Sequence, residues 1–325
     1  MRKQDLVILR LLPLTAILMI FGCTTADRYG RMYDGTLRPG SEVATIYWNQ
    51  PVGITAIDGN PKLSESVLEE RNSTNAAGTQ QLDVPPGPHN FWIMFYENRG
   101  GKEYQAVLPQ VVNIDAQPGC EYIFTAERDS ERWWRPVVTE WTPGYNITLE
   151  HLDLPAERPR ADVFVVVPRD LLVEPVKYSP EGIGSGFTGR SHFNSRVYSG
   201  LQRALPLVFS RVTASSQLPV LNQIQNPTVI LKPRFRRASY TRDFWSAPVG
   251  VKMEYTLEIS DAKGKRELTV SIDGKADCEI MPADPGFSPK ADLLFRQALQ
   301  RATDEVIINI VRSAYRFACD LPKNR

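Results

Sequence analysis

The chain has 325 residues, with 38 basic and 37 acidic side chains, 42% hydrophobic and 23% charged content. That balance excludes a wholly disordered chain, and the length suits two domains of ordinary size. The one long apolar run sits at the start, which excludes a multi-span membrane protein. Four Cys and three His leave little for a metal cluster or a disulfide framework.

Residues 1–22 have the features of an export signal. Arg2 and Lys3 give the positive start, and Leu11 to Phe21 is apolar apart from Pro13 and Thr15. The run is shorter than a membrane span. It ends in Ile20-Phe21-Gly22-Cys23, which resembles the bacterial lipobox: an aliphatic residue at −3, a small one at −1, then Cys. The resemblance implies cleavage before Cys23 and acyl chains (palmitate among them) on the new amino-terminal cysteine. Thr24 stands where that family places Asp for inner-membrane retention, so the resemblance implies the periplasmic face of the outer membrane. Several acyl chains, at ~0.8 kcal/mol per buried methylene, make such anchoring stable. The competing reading is an uncleaved anchor, or a plain signal with a chance Cys. Without residues 1–22 the chain has 35 basic and 36 acidic residues, a net charge of −1.

Residues 23–40 are polar and glycine-containing and are expected to be a tether. Residues 41–141 are expected to form an all-β sandwich. Its strands are Ala44–Trp48, Val52–Asp58, His89–Glu97, Tyr104–Val112, Glu121–Glu127 and Pro136–Trp141, rich in β-branched and aromatic residues. Pro85-Pro86-Gly87-Pro88 and Pro118-Gly119 precede strands, and Asn98-Arg99-Gly100-Gly101 suits a hairpin. This pair of proline-glycine turns, each leading into a strand, resembles small β-domains of bacterial lipoproteins. Residues 142–160, with Pro143, Gly144, Pro155 and Pro159, form the expected linker.

Residues 161–320 are expected to form an α+β domain with two helices on an antiparallel sheet. Val163–Val167 is continuously apolar, as in an inner strand. Asn194 or Ser195 suits a helix cap, followed by Val197, Leu201, Leu205, Val208 and Val212 at helical spacing; Pro206 should kink or split this helix. Thr228–Phe235, Gly250–Ile259 and Glu267–Lys275 alternate like strands. A long helix then starts at Pro289 behind a Ser288 cap, with Leu294, Ala298, Ala302, Val306, Ile310, Ala314 and Phe317 on one face. The order helix, three strands, helix resembles, at fold level, the auxiliary lipoproteins of envelope transport and lipopolysaccharide assembly. Those are partners and tethers rather than enzymes.

Motifs with catalytic lettering lack their structural context. Gly184-Ser185-Gly186-Phe187-Thr188-Gly189 spells a dinucleotide fingerprint, yet no Asp or Glu occurs from Gly182 through Arg242 to hold a ribose. Ser260-Asp261-Ala262-Lys263 has Ser-x-x-Lys spacing but falls on a hairpin rather than a helix start. His89, His151 and His192 fall in a turn, a linker and a loop as lone surface residues without metal-ligand spacing. No catalytic residue, metal site or cofactor is therefore expected.

Three features remain as candidate sites. Trp133 and Trp134 are adjacent, so in a strand they face opposite ways, and one is a candidate glycan contact. Cys278 and Cys319 both sit at element ends of the second domain and are candidates for a disulfide in the oxidising periplasm, with Cys120 left free and buried. Between Gly182 and Arg242 lie nine basic residues and no acidic one. Lys232, Arg234 and Arg236 share one face of a strand and, with Arg237, form a candidate anion-binding site. The alternative is a solvated face paired with acids elsewhere in the fold.

The expectation is a non-enzymatic, lipid-anchored protein that binds or scaffolds in envelope assembly or transport. Its partners would be the membrane through the anchor and an anionic lipid or an acidic envelope protein, not nucleic acid. A peptidoglycan- or glycan-binding module and an unrecognised hydrolase are the alternatives.

Overall fold

The computed structural model describes residues 28–33, 36–48, 51–61, 80–99, 102–128, 134–155, 157–173, 176–181, 189–218, 226–243, 246–278 and 289–321. Cys23, Trp133 and residues 184–188 of the glycine-rich stretch lie outside them. The chain is a mixed α/β protein, mostly β, with four helices among the described residues.

The first nine strands form two sheets. β1 (Arg28–Arg31), β4 (Gln80–Val84), β2 (Ala44–Trp48), β8 (Glu121–Arg128) and β9 (Trp134–Trp141) form a five-stranded sheet in that order. β3 (Val52–Ile57), β5 (Gly87–Arg99), β6 (Lys102–Gln105) and β7 (Gln110–Ala116) form an antiparallel four-stranded one. Alternation decides what lies between them. Ala44, Ile46, Trp48, Leu82, Val84, Tyr122 and Phe124 of the first sheet share a core with Val52, Ile54, Ile57, Phe91 and Ile93 of the second. Phe91 meets Phe124 edge to face at 5.0 Å.

Several boundaries shift by one or two residues from expectation, β4 was not among the expected strands, and two departures are larger. The strand expected over Tyr104–Val112 is two strands, β6 and β7, with 106–109 between them. Pro109 has no N–H to give to a ladder. The tether expected over 23–40 already contains β1, which pairs in parallel with β4 from Arg28↔Gln80 to Arg31↔Asp83. Four residues with so little apolar content carry no strand signal alone; the edge of β4 supplies the pairing.

The remaining strands form a seven-stranded mixed sheet. β10 (Asp162–Val166) lies between β13 (Val212–Ser215) and the start of β14 (Thr228–Asp243), parallel to both. β11 (Val176–Glu181) runs parallel to the far end of β14 and antiparallel to β12 (Gly189–Ser191). β14, β15 (Ser246–Asp261) and β16 (Glu267–Cys278) form a long antiparallel meander. The antiparallel sheet expected here is thus antiparallel only in the meander. A helical crossover returns β13 parallel to β10, as parallel pairing requires.

The helices are α1 (Leu149–Leu152), α2 (Arg169–Val173), α3 (Phe193–Val208) and α4 (Pro289–Cys319). α3 continues past Pro206 to Val208 without splitting. A proline in the last turn sacrifices one backbone bond close to where the helix ends anyway. Its cap is His192, not Asn194 or Ser195, which lie buried in the first turn. On α4, Ala298, Ala302, Val306, Ile310, Ala314 and Phe317 all lie buried on the second core, as the spacing predicts. A Cβ on Gly274 of β16 would stand 2.0 Å from the Ala302 carbonyl oxygen, so strand and helix backbones touch there. The segment expected as a linker also joins this core through Ile147 and Leu152.

Candidate functional site

The most concentrated polar chemistry lies between the two cores. In β2, Ala44, Ile46 and Trp48 point to the inter-sheet core, so Thr45 and Tyr47 point the other way. Asp83 of β4 and Glu121 of β8 share that outer face. α3 and the first half of α4 cover it, and every one of these side chains is buried.

Asp83 accepts from Thr45 Oγ1 at 2.9 Å and meets His192 Nε2 at 3.2 Å. Glu121 accepts from Tyr47 OH at 3.1 Å through Oε1, from Gln300 Nε2 at 3.4 Å through Oε2, and from Arg196 Nη2. Arg196 also donates to Tyr47 OH at 2.8 Å and lies 5.6 Å from the ring centres of Trp141 and Phe193. Arg296 of α4 stacks its guanidinium 4.0 Å over the Tyr47 ring.

Burial pulls the Arg196 guanidinium below its usual range, opposed by Tyr47. The carboxylates stand at the amino-terminal end of α3, where the helix dipole favours negative charge. Ser195 Oγ and Tyr255 OH are buried here without a hydrogen-bond partner. The seam is a closed, charge-compensated joint whose acid, base and imidazole are all engaged with one another.

Two of the three histidines depart from the surface placement expected. His192 caps α3 within the joint, 4% exposed. His89 is on β5, with Nδ1 2.7 Å from Asp58 Oδ2 and Nε2 2.8 Å from the Pro85 carbonyl. His151 is exposed in α1, beside Thr148. Sequence spacing misses the joint because its members are spread from Thr45 to Gln300. The faint signal was Asn194-Ser195-Arg196, polar residues in the first turn of an otherwise apolar helix face.

The basic strand stands as a paired face. Lys232 Nζ lies 3.9 Å and Arg234 Nε 3.3 Å from the Glu258 carboxylate, and Arg236 Nε donates to Thr256 Oγ1 at 2.7 Å. A bulge between Phe235 and Arg237 turns Arg237 outward as well, where it donates twice to Glu254 at 2.9 Å. Lys252 binds the same carboxylate. Hydrogen bonds from Arg237 and Lys252 push the Glu254 carboxyl down to about 2. β15 sets Glu254, Thr256 and Glu258 opposite these four residues, so Lys232, Arg234 and Arg237 meet carboxylates and Arg236 a hydroxyl.

Trp134 stacks on Phe95 at 5.3 Å and is half-buried against the inter-sheet core, and Trp133, the other candidate glycan contact, lies outside the described residues. Among the described residues the exposed tryptophan is Trp92, paired across strands with exposed Val111 on the outer face of the four-stranded sheet.

The Cys278–Cys319 bridge is also corrected: Cys319 is a free, exposed thiol. β16 runs antiparallel to α4. Its start lies by the end of the helix, where Arg266 donates to the Asp320 carbonyl, and Gly274 lies against Ala302. Cys278 ends the strand at the other pole, roughly 40 Å along it at ~3.4 Å per residue, far beyond the ~7 Å Cα limit of a disulfide. Cys120 is free and buried, beside Thr142 Oγ1 at 3.0 Å, and burial raises its thiol pKa.

No family model and no curated protein matches this chain. Among solved structures, an uncharacterized protein is 13% identical, covering 46% of this chain and 92% of its own, with a TM-score of 0.23. A putative neuraminyllactose-binding hemagglutinin homolog from Helicobacter pylori is 11% identical over 53% and 98%, with a TM-score of 0.26. A hypothetical protein from Chlamydia trachomatis is 10% identical over 45% and 98%, with a TM-score of 0.21. Similarity of this degree assigns the chain neither a fold family nor a function.

Proposed function

We propose that this protein is a non-enzymatic scaffold of two domains, a β-sandwich and an α+β domain, anchored through acylated Cys23 to the periplasmic face of the outer membrane. The leader ending in Ile20-Phe21-Gly22-Cys23 supports the anchor. The observation that carries the scaffold reading is the buried joint. Asp83, His192, Glu121 and Arg196, which have the chemistry for acid–base catalysis, are 0–5% exposed and paired with one another across the two cores. They weld one body instead of lining a cleft, and a rigid body suits a protein that presents surfaces to others.

The partner on this reading is an acidic envelope protein or an anionic lipid, meeting the Lys232–Arg237 face in competition with Glu254 and Glu258. Crosslinking in intact cells, followed by pull-down from detergent-solubilised envelopes, tests it. A discrete envelope partner recovered with the wild type and lost with Lys232→Gln, Arg234→Gln and Arg236→Gln together is the expected result. Recovery unchanged by that triple substitution would remove this face as the contact. Conversion of an envelope substrate by the purified protein would overturn the scaffold reading.

A further inference from the structure

We infer that two copies of this chain join edge to edge through β16, pairing antiparallel about a two-fold axis at Ser271. The dimer goes beyond the scaffold reading and does not depend on it. Among the described residues β16 pairs on one side only, with β15. The other side of the strand is a sheet edge.

The hairpin between β15 and β16 fixes which backbone groups that edge leaves over. Asp261 N donates to the Arg266 carbonyl at 3.0 Å, so these two residues form a bonded pair. Bonded and non-bonded pairs alternate from there, and the register runs from Ser260↔Glu267 to Val249↔Cys278 without a bulge. Glu267, Thr269, Ser271, Asp273, Lys275 and Asp277 therefore aim their N–H and C=O groups away from β15. The Asp273 carbonyl bears this out, since it accepts from Asn309 Nδ2 of α4 at 2.9 Å. Glu267, Thr269, Ser271, Lys275 and Asp277 are all exposed. Such a row of open donors and acceptors is a template for another strand.

The charges along the edge select a second copy as its occupant. Lys275 stands opposite Lys252 of β15, a like-charge pair, and neither Lys275 nor Glu267 has a carboxylate or ammonium partner among the described residues. With Ser271 facing the partner's Ser271, Glu267 lies opposite the partner's Lys275 on both sides of the axis, and Thr269 opposite the partner's Asp273. Moving the axis by one residue either way sets Glu267 opposite the partner's Asp273 or the partner's Asp277, which repel. An axis at Asp273 opposes that carboxylate to its own copy, and one at Gly274 shortens the paired run to 271–277.

The helix beside the edge repeats this complementarity. Glu305 and Arg316 are exposed and stand one and two turns from Asn309, on the flank of α4 that overlooks β16. α4 runs antiparallel to the strand, with Asn309 at Asp273 and Asp320 at Arg266. The level of Ser271 thus falls between Glu305 and Arg316, and the two-fold turns each Glu305 towards the partner's Arg316. Leu268, 47% exposed on the helix side of β16, gains cover from the partner's Gly274 and the helix above it. A contact in which the same patch serves both copies closes as a dimer.

The test places single cysteines on the edge of the full chain in detergent, in a Cys319→Ser background, with copper–phenanthroline as oxidant. Ser271→Cys should run mostly as a disulfide-linked dimer on a non-reducing gel, since bonded pairs of this kind have Cα atoms ~5.5 Å apart, inside the ~7 Å limit of a disulfide. Thr269→Cys should stay monomeric, because the register staggers it four residues from its own copy, ~14 Å at ~3.4 Å per residue. The background protein without an added cysteine gives the crosslinking to subtract. Adding Lys275→Glu to Ser271→Cys should lower the dimer fraction several-fold, and adding Glu267→Lys as well should restore it. A Ser271→Cys protein that melts like the background yet stays monomeric would overturn the dimer. Equal crosslinking at 269 and 271, or a dimer indifferent to Lys275→Glu, would overturn pairing in this register.

Discussion

Arg196 of α3 donates to the Glu121 carboxylate of β8 with each side chain only 6% exposed, so the two cores of this chain meet across a buried ion pair. Burial of either charge alone is costly; each is tolerated because the other is its partner, with Glu121 also accepting from Tyr47 and Gln300 and Arg196 also donating to Tyr47. The pair therefore specifies how the halves meet more than it adds net stability.

Removing one partner should expose that dependence. Glu121→Ala and Arg196→Ala should each lower unfolding stability by ~3–5 kcal/mol, because each strands an uncompensated buried charge. The doubly apolar Glu121→Leu with Arg196→Met should cost much less than the two single losses added together. Urea unfolding of the four proteins measures this; additive losses would show that the two residues act independently.

Backbone contact between β16 and α4 gives a second test. Gly274→Ala places a methyl group 2.0 Å from the Ala302 carbonyl oxygen, and backbone cannot swing aside. It should destabilise by ~1–3 kcal/mol or more, the usual range for overpacking. Gly59→Ala meets nothing within 4 Å and bears only the strain of φ +75°. Thermal unfolding should therefore show Gly274→Ala as the larger loss.

The pH dependence of the charged face follows from Glu254. Its carboxyl is held at about 2 by hydrogen bonds from Arg237 and Lys252, below the value of 4.5 it has when unperturbed. A depressed carboxyl pKa means that the unfolded chain takes up the proton first. The stabilisation is thus complete above about 4.5 and fades as pH falls towards about 2. The Tm gap between wild type and Glu254→Gln should be widest near neutral pH and shrink through that window. Its size should be modest, since Arg237 is 57% exposed to screening water. A gap constant down to pH 2 would contradict the pairing.

Cross-strand pairing also predicts how the basic face responds to substitution. Glu254→Gln with Glu258→Gln should strengthen binding of the soluble body to anionic vesicles at low salt, by freeing Lys232, Arg234 and Arg237. Changing Lys232, Arg234 and Arg236 to Gln should weaken it. Sedimentation with phosphatidylglycerol vesicles at two salt concentrations checks both, because screening shortens the reach of these charges to ~8–10 Å at 0.1–0.15 M.

The thiols should differ in access. A short alkylation pulse on the folded protein should label Cys319 quickly. Cys120, buried beside Thr142 with its thiolate disfavoured by burial, should react only after unfolding. Non-reducing mass spectrometry should find no bridge between Cys278 and Cys319.

Most elements with a local signal were legible before any packing was known. Strand β2 begins and ends where alternating β-branched and aromatic residues do, and α4 begins at Pro289 with its apolar stripe buried. Periodicity and start signals act within a few residues, so they are legible without tertiary context. The basic strand was legible too, because charge can be counted. Whether it was open or paired depended on Glu254 and Glu258, which the β15 register sets opposite it. Strand β1 was invisible because its stability comes from the edge of β4. The disulfide failed because two ends close in kind proved opposite in space once β16 ran antiparallel to α4. The joint was hidden for the same reason: Asp83, Glu121, His192, Arg196 and Arg296 are ordinary polar residues in sequence, and only the packing of α3 and α4 onto the outer face of β2, β4 and β8 takes them from water and makes each depend on the others.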